Sequence, residues 1–184
     1  NILVIGGSGF LGTHIIDVLC EKKFKVTNFD KNKNKWNNPN ANNIIANANN
    51  LKKLESQIKK NKIIIHLAGI SDLNYGLKNP IETFEQNILT TINILKLCVK
   101  YKVKHFVYSS SVYTDSKEGG FYKCSKIATE EYIKEFSKTY SLKYSILKYG
   151  SLYGTRSNEN NALYRIIKKA IIAKKIEYIG NPKS

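Results

Sequence analysis

Tyr122 and Lys126 stand four residues apart in a segment patterned as a helix, so both side chains project from one face. A phenol titrates near pH 10 and is a poor base at neutrality. A neighbouring ammonium favours the phenolate and brings the group towards the working range. Upstream, the strand-like run His105 to Tyr108 leads into Ser109, Ser110 and Ser111. A hydroxyl at the carboxyl end of an adjacent strand can hydrogen-bond a reacting substrate oxygen, because open α/β sheets place their ligands at that edge. Tyr-x-x-x-Lys alone means little in a chain with 12 tyrosines and 28 lysines. A second motif gives it weight.

That motif is Gly6-Gly7-Ser8-Gly9-Phe10-Leu11-Gly12, between an apolar run at Ile2 to Ile5 and a helical pattern from Phe10 to Glu21. Gly6, Gly9 and Gly12 permit a tight turn, close approach of a pyrophosphate and close helix–sheet packing. Phe10 and Leu11 open a helix whose free N–H groups and dipole hold phosphates. Asp30 follows Gly12 by 18 residues, at the end of the second strand. A carboxylate there accepts both ribose hydroxyls of an adenosine and repels a 2′-phosphate. The expected cofactor is therefore NAD; Lys31 and Lys33, which can pair with an extra phosphate, leave NADP open. The positive nicotinamide ring adds to the field of Lys126 on Tyr122.

These residues need a scaffold that carries them to one edge. Strands are predicted at 2–5, 25–29, 62–67, 104–109, 143–148 and 176–179, with a short one at Ile44-Ile45. Helices are predicted at 10–21, 51–60, 80–101, 121–140 and 160–174. Pro80 opens the longest apolar repeat, where its missing N–H costs nothing. The alternation implies βαβ units and an α/β fold: a doubly wound, Rossmann-type parallel sheet. Lys31 to Asn50 holds 13 Lys or Asn among 20 residues and reads as a solvated, low-complexity connection.

Composition excludes more than it assigns. Lys plus Arg is 30 against 14 for Asp plus Glu, a net charge of +16, which raises nucleic acid as a partner. Yet 28 of those 30 are Lys, scattered through every segment, and Lys, Asn and Ile are all residues of A/T-rich codons. Coding bias accounts for the charge, and no nucleic-acid partner is expected. No run approaches the ~20 apolar residues of a membrane span. Cys20, Cys98 and Cys124 form neither metal spacing nor a disulfide framework, which fits a reducing cytoplasm. His14, His66 and His105 are isolated, so no metal is expected. The chain starts inside a strand, contains no Met and stops after another strand, so it reads as part of a longer protein.

Taken together, the motifs resemble the extended short-chain dehydrogenase/reductases, and within them the NAD-dependent sugar-nucleotide epimerase/dehydratase group. The carriers are the glycine loop, Asp30, His66-Leu67-Ala68-Gly69, Asn87, Ser109 to Tyr113, Tyr122 with Lys126, and Tyr149-Gly150-Ser151-Leu152-Tyr153-Gly154. The resemblance implies that Tyr122 is the general acid/base and that Lys126 holds the nicotinamide ribose. It selects Ser109, four residues before Tyr113, as the hydroxyl partner, and makes Leu67, Ala68 and Gly69 cofactor-lining. Asn87 resembles the family's structural Asn. The implied reaction is transient oxidation of a nucleotide-activated sugar by hydride transfer to NAD, in a homodimer. Residues 1–155 would hold the cofactor, and 156–184 would begin a truncated substrate-binding region. Departures include Ser151 for a diphosphate-binding Asn, Thr155 for Pro and Lys148 for Arg. Ser110-Ser111 replace the Asp-Glu pair of the 4,6-dehydratases, so an epimerase is favoured. The rival readings are a non-catalytic NAD(P)-sensing or scaffolding protein and a basic nucleic-acid-binding module.

Overall fold

A computed structural model describes residues 1–159 and 161–174. The chain divides into two compact units, Asn1–Gly150 and one that starts at Ser151. In the first unit β1 (Ile2–Ile5) is buried at every position. Leu3 and Ile5 join one core cluster with Phe29, Ile64, Phe106 and Ile133, while Ile2 and Val4 join a second with Ile16 and Val26. An unbroken apolar run is what a strand needs when helices cover both faces of its sheet.

α1 (Phe10–Glu21) packs one face through Ile16. β2 (Val26–Asp30) and β3 (Asn42–Ile45) follow, then α2 (Leu51–Ile58), whose N-cap Asn50 accepts from the Lys53 N–H. β4 (Ile63–His66), α3 (Leu73–Lys78), α4 (Pro80–Thr83), a π-helical segment (Phe84–Leu89) and α5 (Thr90–Lys100) come next. β5 (His105–Ser111), a 3₁₀ turn (Val112–Asp115), α6 (Gly120–Tyr140) and β6 (Tyr144–Tyr149) complete the unit. The second unit contains α7 (Ala162–Ala173). The strand predicted at 176–179 lies outside the described residues.

All strand pairs are parallel, in the order β3-β2-β1-β4-β5-β6. Strand order reverses direction between β1 and β4, and ligands of such sheets bind outside the strand ends at that switch point. The predicted doubly wound, Rossmann-type sheet is therefore present.

Three local predictions change. The helix predicted over 80–101 is interrupted by the π segment, which turns Asn87 inward to 2% exposure. α3 was not foreseen: it is six residues long, and its signal is the capping Asp72, which accepts from the Tyr75 N–H. The stretch 31–50 is stitched by asparagines. Asn38 donates to Asp17 on α1 at 2.7 Å, and Asn43 donates to the carbonyls of Asn38 and Ala41 at 2.9 Å each.

His66 ends β4 at 1% exposure, its Nε2 3.0 Å from the Thr91 hydroxyl. Burial, reinforced by the nearby Lys126 charge, lowers its pKa from 6.5 to about 3. The unfolded chain takes up this proton near pH 6.5 and the folded chain only near 3. The stability it contributes is therefore present above pH 6.5 and lost as pH falls towards 3. Urea unfolding at pH 7 and pH 5 should show a loss of about 2 kcal/mol from this group. His66→Gln should lose correspondingly less, and an equal loss in both proteins would contradict the assignment.

Candidate active site

The glycine loop meets the β4 loop directly. Gly6 has φ +84°, and a Cβ there would lie 2.5 Å from the Ala68 nitrogen. The N–H groups of Leu67 and Ala68 both donate to the Ile5 carbonyl, at 2.8 and 3.0 Å, so β1 and β4 deliver their loops to one place. At Gly12 a Cβ would stand 2.6 Å from the Gly6 carbonyl oxygen, so α1 closes tightly on the turn. Gly9 differs: a Cβ there would meet only the Gly6 oxygen, at 3.4 Å. Gly9 is also the N-cap of α1, with no side chain capping the helix and no acid in its first turn. An open face without a side chain, beside uncapped N–H groups, fits a pyrophosphate.

Ser8, in the middle of the loop, is held at three atoms. Its N–H donates to Asp30 at 3.0 Å, its carbonyl accepts from Asn34 at 2.7 Å, and its hydroxyl accepts from Asn28 at 3.1 Å. The second Asp30 oxygen accepts from the Asn32 N–H at 2.9 Å. Asp30 thus lies against the glycine loop, as its spacing predicts, and each oxygen keeps acceptor capacity for a ribose hydroxyl. Asn28 and Asn34 escaped the sequence reading, since neither belongs to a recognisable pattern.

Asn87 ties this edge to α6. Its side chain accepts from the Ile70 N–H at 2.7 Å and donates to the Ile70 carbonyl at 3.0 Å and the Ser125 hydroxyl at 2.9 Å. Gly69 sits against the same amide, where a Cβ would be 2.7 Å from the Asn87 oxygen. From Gly6 through Ala68, Ile70 and Asn87 to Ser125, contacts run without a break to the residue beside Lys126.

On α6, Tyr122, Lys126 and Glu130 follow at four-residue intervals and all are buried, at 8, 6 and 7% exposure. The Lys126 ammonium donates to the Ser109 carbonyl at 2.7 Å and lies 4.7 Å from the Tyr108 ring centre and 5.6 Å from that of Tyr122. Burial lowers its pKa from 10.5 to about 8, with Glu130 opposing the shift. The Tyr122 phenol is raised above 10, chiefly by burial, partly offset by a hydrogen bond with Ser111 and reinforced by Tyr113. The downward shift expected from Lys126 is thus not what this chain shows.

The three serines of β5 divide their roles. Ser109, the residue selected by resemblance, meets Lys126 through its carbonyl, while the hydroxyl beside Tyr122 belongs to Ser111. The reason is strand length: β5 runs two residues past the predicted end, so Ser111 is its last residue. Ser110 donates to Glu130. Glu130 was also missed, although a carboxylate two helical turns after Tyr122 on the same face is legible as a stripe.

Fold and site together define a dinucleotide-binding protein of the Rossmann type. The chain belongs to the NAD dependent epimerase/dehydratase family, whose model matches residues 2–184. A Methanocaldococcus jannaschii protein, provisionally named a UDP-glucose 4-epimerase, is 34% identical over 85% of this chain and 57% of its own length. The dTDP-D-glucose 4,6-dehydratase of Dictyostelium discoideum is 26% identical over 100% of this chain and 51% of its own. The crystal structure of Thermotoga maritima UDP-glucose 4-epimerase with UDP-glucose superposes with a TM-score of 0.88 at 25% identity. That match covers 99% of this chain and 66% of the Thermotoga protein. This chain therefore spans about half of the length of the two curated relatives.

Replacing Asn87 by Leu keeps the volume and deletes three hydrogen bonds to buried or half-buried groups. Each unpaired buried group costs about 1–3 kcal/mol. Asn87→Leu should lower unfolding stability by at least about 2 kcal/mol in urea titration; wild-type stability would refute its bridging role.

Proposed function

We propose that this chain is the cofactor-binding half of an NAD-dependent enzyme that oxidises a sugar carbon of a nucleotide-activated sugar and returns it as the epimer. The observation that carries the reading is the convergence of Tyr122, Ser111 and Lys126 at the carboxyl edge of the sheet, linked through Asn87 to the glycine loop. In this reading residues 1–155 bind the cofactor and 156–184 begin the substrate-binding region. Gly6, Gly9, Phe10, Leu11 and Gly12 take the pyrophosphate, Asp30 the adenosine ribose, and Leu67, Ala68 and Gly69 line the cofactor. NAD, when bound, supplies the two-electron acceptor.

Tyr122 removes the proton of the substrate hydroxyl as that carbon is oxidised, and returns it when the ketone is reduced on its other face. Ser111 donates to the same substrate oxygen, while Ser109 keeps Lys126 aligned through its carbonyl. Lys126 holds the nicotinamide ribose and places a positive charge that favours the Tyr122 phenolate, the form that takes the proton. Ser110-Ser111 in place of an acidic pair supports an epimerase over a 4,6-dehydratase. Three cysteines without disulfides support a cytoplasmic setting. Among the described residues no helix is long and apolar enough to cross a membrane. Exposed Ile81, Phe84 and Leu89, on one helical stretch, support a homodimer.

Two measurements on the intact protein test this. NAD at 100 times its dissociation constant should stabilise it by ~2.7 kcal/mol. Tyr122→Phe should lower kcat by about 10²–10⁴-fold while NAD still binds. Wild-type turnover in Tyr122→Phe would overturn the role of Tyr122, and no stabilisation by NAD or NADP would overturn the cofactor assignment.

A further inference from the structure

Glu130 has no part in the reaction as described, yet it is 7% exposed on a helix whose other faces meet water. A buried carboxylate is costly unless charge or hydrogen bonds compensate it. Its partners come from three elements. Ser110 of β5 donates to Oε1, and the Lys148 ammonium of β6 lies 3.9 Å from Oε2. On α6 itself, Lys126 stands one turn earlier on the same face and feels the carboxylate electrostatically. Lys148 is meanwhile committed to Asp115, which accepts from it at 2.7 and 2.9 Å. Lys148 thus pairs with Asp115 at the surface and also feels the Glu130 charge, so Glu130 faces a cation on each side, Lys148 and Lys126.

We propose that Glu130 is a positioning residue for the chemistry of this site: its buried carboxylate holds the Lys126 side chain in its charged, ribose-binding form against the desolvation of the core. The consequence for the reaction rests on the function proposed above; the electrostatic coupling does not. The stripe Tyr122–Lys126–Glu130 puts base, cation and counter-charge along one line. Ser110 meanwhile clamps the far end of the line to the strand whose next residue contacts Tyr122. The other ionisable groups facing this line are His66 of β4, Tyr108 of β5, Lys134 of α6, Lys148 of β6, and Tyr113 and Asp115 of the 3₁₀ turn. Buried His66 is neutral over the relevant range, and burial pushes the Tyr108 phenol up. Lys148 and Lys134 are positive and disfavour a second cation, so the negative charge Lys126 feels in the core comes from Glu130, the only buried carboxylate among the described residues.

The sign follows directly. Burial lowers the pKa of Lys126 to about 8, and Glu130 raises it against that trend. Removing the negative charge should lower it further and leave a larger neutral fraction at neutral pH. The test is a pH titration of the intact protein without ligand, labelled with ¹³C at lysine Cε and assigned by Lys126→Arg. In Glu130→Gln, whose amide oxygen still accepts from Ser110, the Lys126 midpoint should fall by about one unit or more. Glu130→Asp, which keeps the charge, should restore most of the shift. An unchanged midpoint in Glu130→Gln would leave Glu130 a packing residue and overturn the proposal. Should that variant fail to fold, the wild-type protein decides: the Glu130 carboxylate carbon should report the Lys126 step near pH 8, and its silence there would be equally fatal. NAD affinity gives the consequence. Glu130→Gln should bind NAD about fivefold more weakly at pH 8 and approach wild type at pH 6. No NAD binding by either protein would overturn the functional reading, while the titration still decides the role of Glu130.

Discussion

The arrangement depends on one buried amide. A parallel sheet covered on both faces delivers its loops to a single edge, but separate strands do not by themselves fix the distance between the glycine loop and α6. Asn87 does so by bonding to both the N–H and the carbonyl of Ile70 and to the Ser125 hydroxyl. Because Gly6 touches Ala68 and Ser125 precedes Lys126, this one side chain sets how two otherwise independent halves of the site meet. The π segment is the backbone consequence. An extra residue per turn interrupts the regular helix and turns Asn87 inward, a local irregularity of the kind found at functional sites.

Electrostatics along α6 then works against the composition of the chain. The formal charge of +16 is spread over lysines facing water, and Lys126 alone is buried among the described residues. A cation there is costly to the fold, and the buried carboxylate of Glu130, one helical turn away, opposes part of that cost. Surface charge more than about 8–10 Å away has little influence on the site, because exposed charges are screened over that distance and buried ones much less.

How much of this was legible in the sequence follows from range. The strand–loop–helix start, the switch-point topology and the Tyr122–Lys126 pair are set by short periodicities, and each lies where spacing puts it. The resemblance selects Ser109, yet the hydroxyl beside Tyr122 is that of Ser111, because β5 runs on to Ser111, and strand ends are set by pairing with β6, here Ser111 with Tyr149, rather than by local preference. The phenol of Tyr122 shifts upward because burial outweighs the hydrogen bond with Ser111, a balance no residue pattern reveals.

The asparagine-rich stretch carries this point further. By composition it is a drift product, and low complexity argues for solvation without structure. Yet a short amide that both donates and accepts can bond to nearby backbone and close turns on itself. Asn34 does so with Trp36 at 3.0 Å and Asn38 with Asn40 at 2.9 Å, while the same side chains reach Ser8 and Asp17. The stretch thus holds many turn-forming asparagines, and Asn34, beside the glycine loop, braces it. Function here selects positions within a biased composition, which is why residue counts mislead where spacing and burial do not.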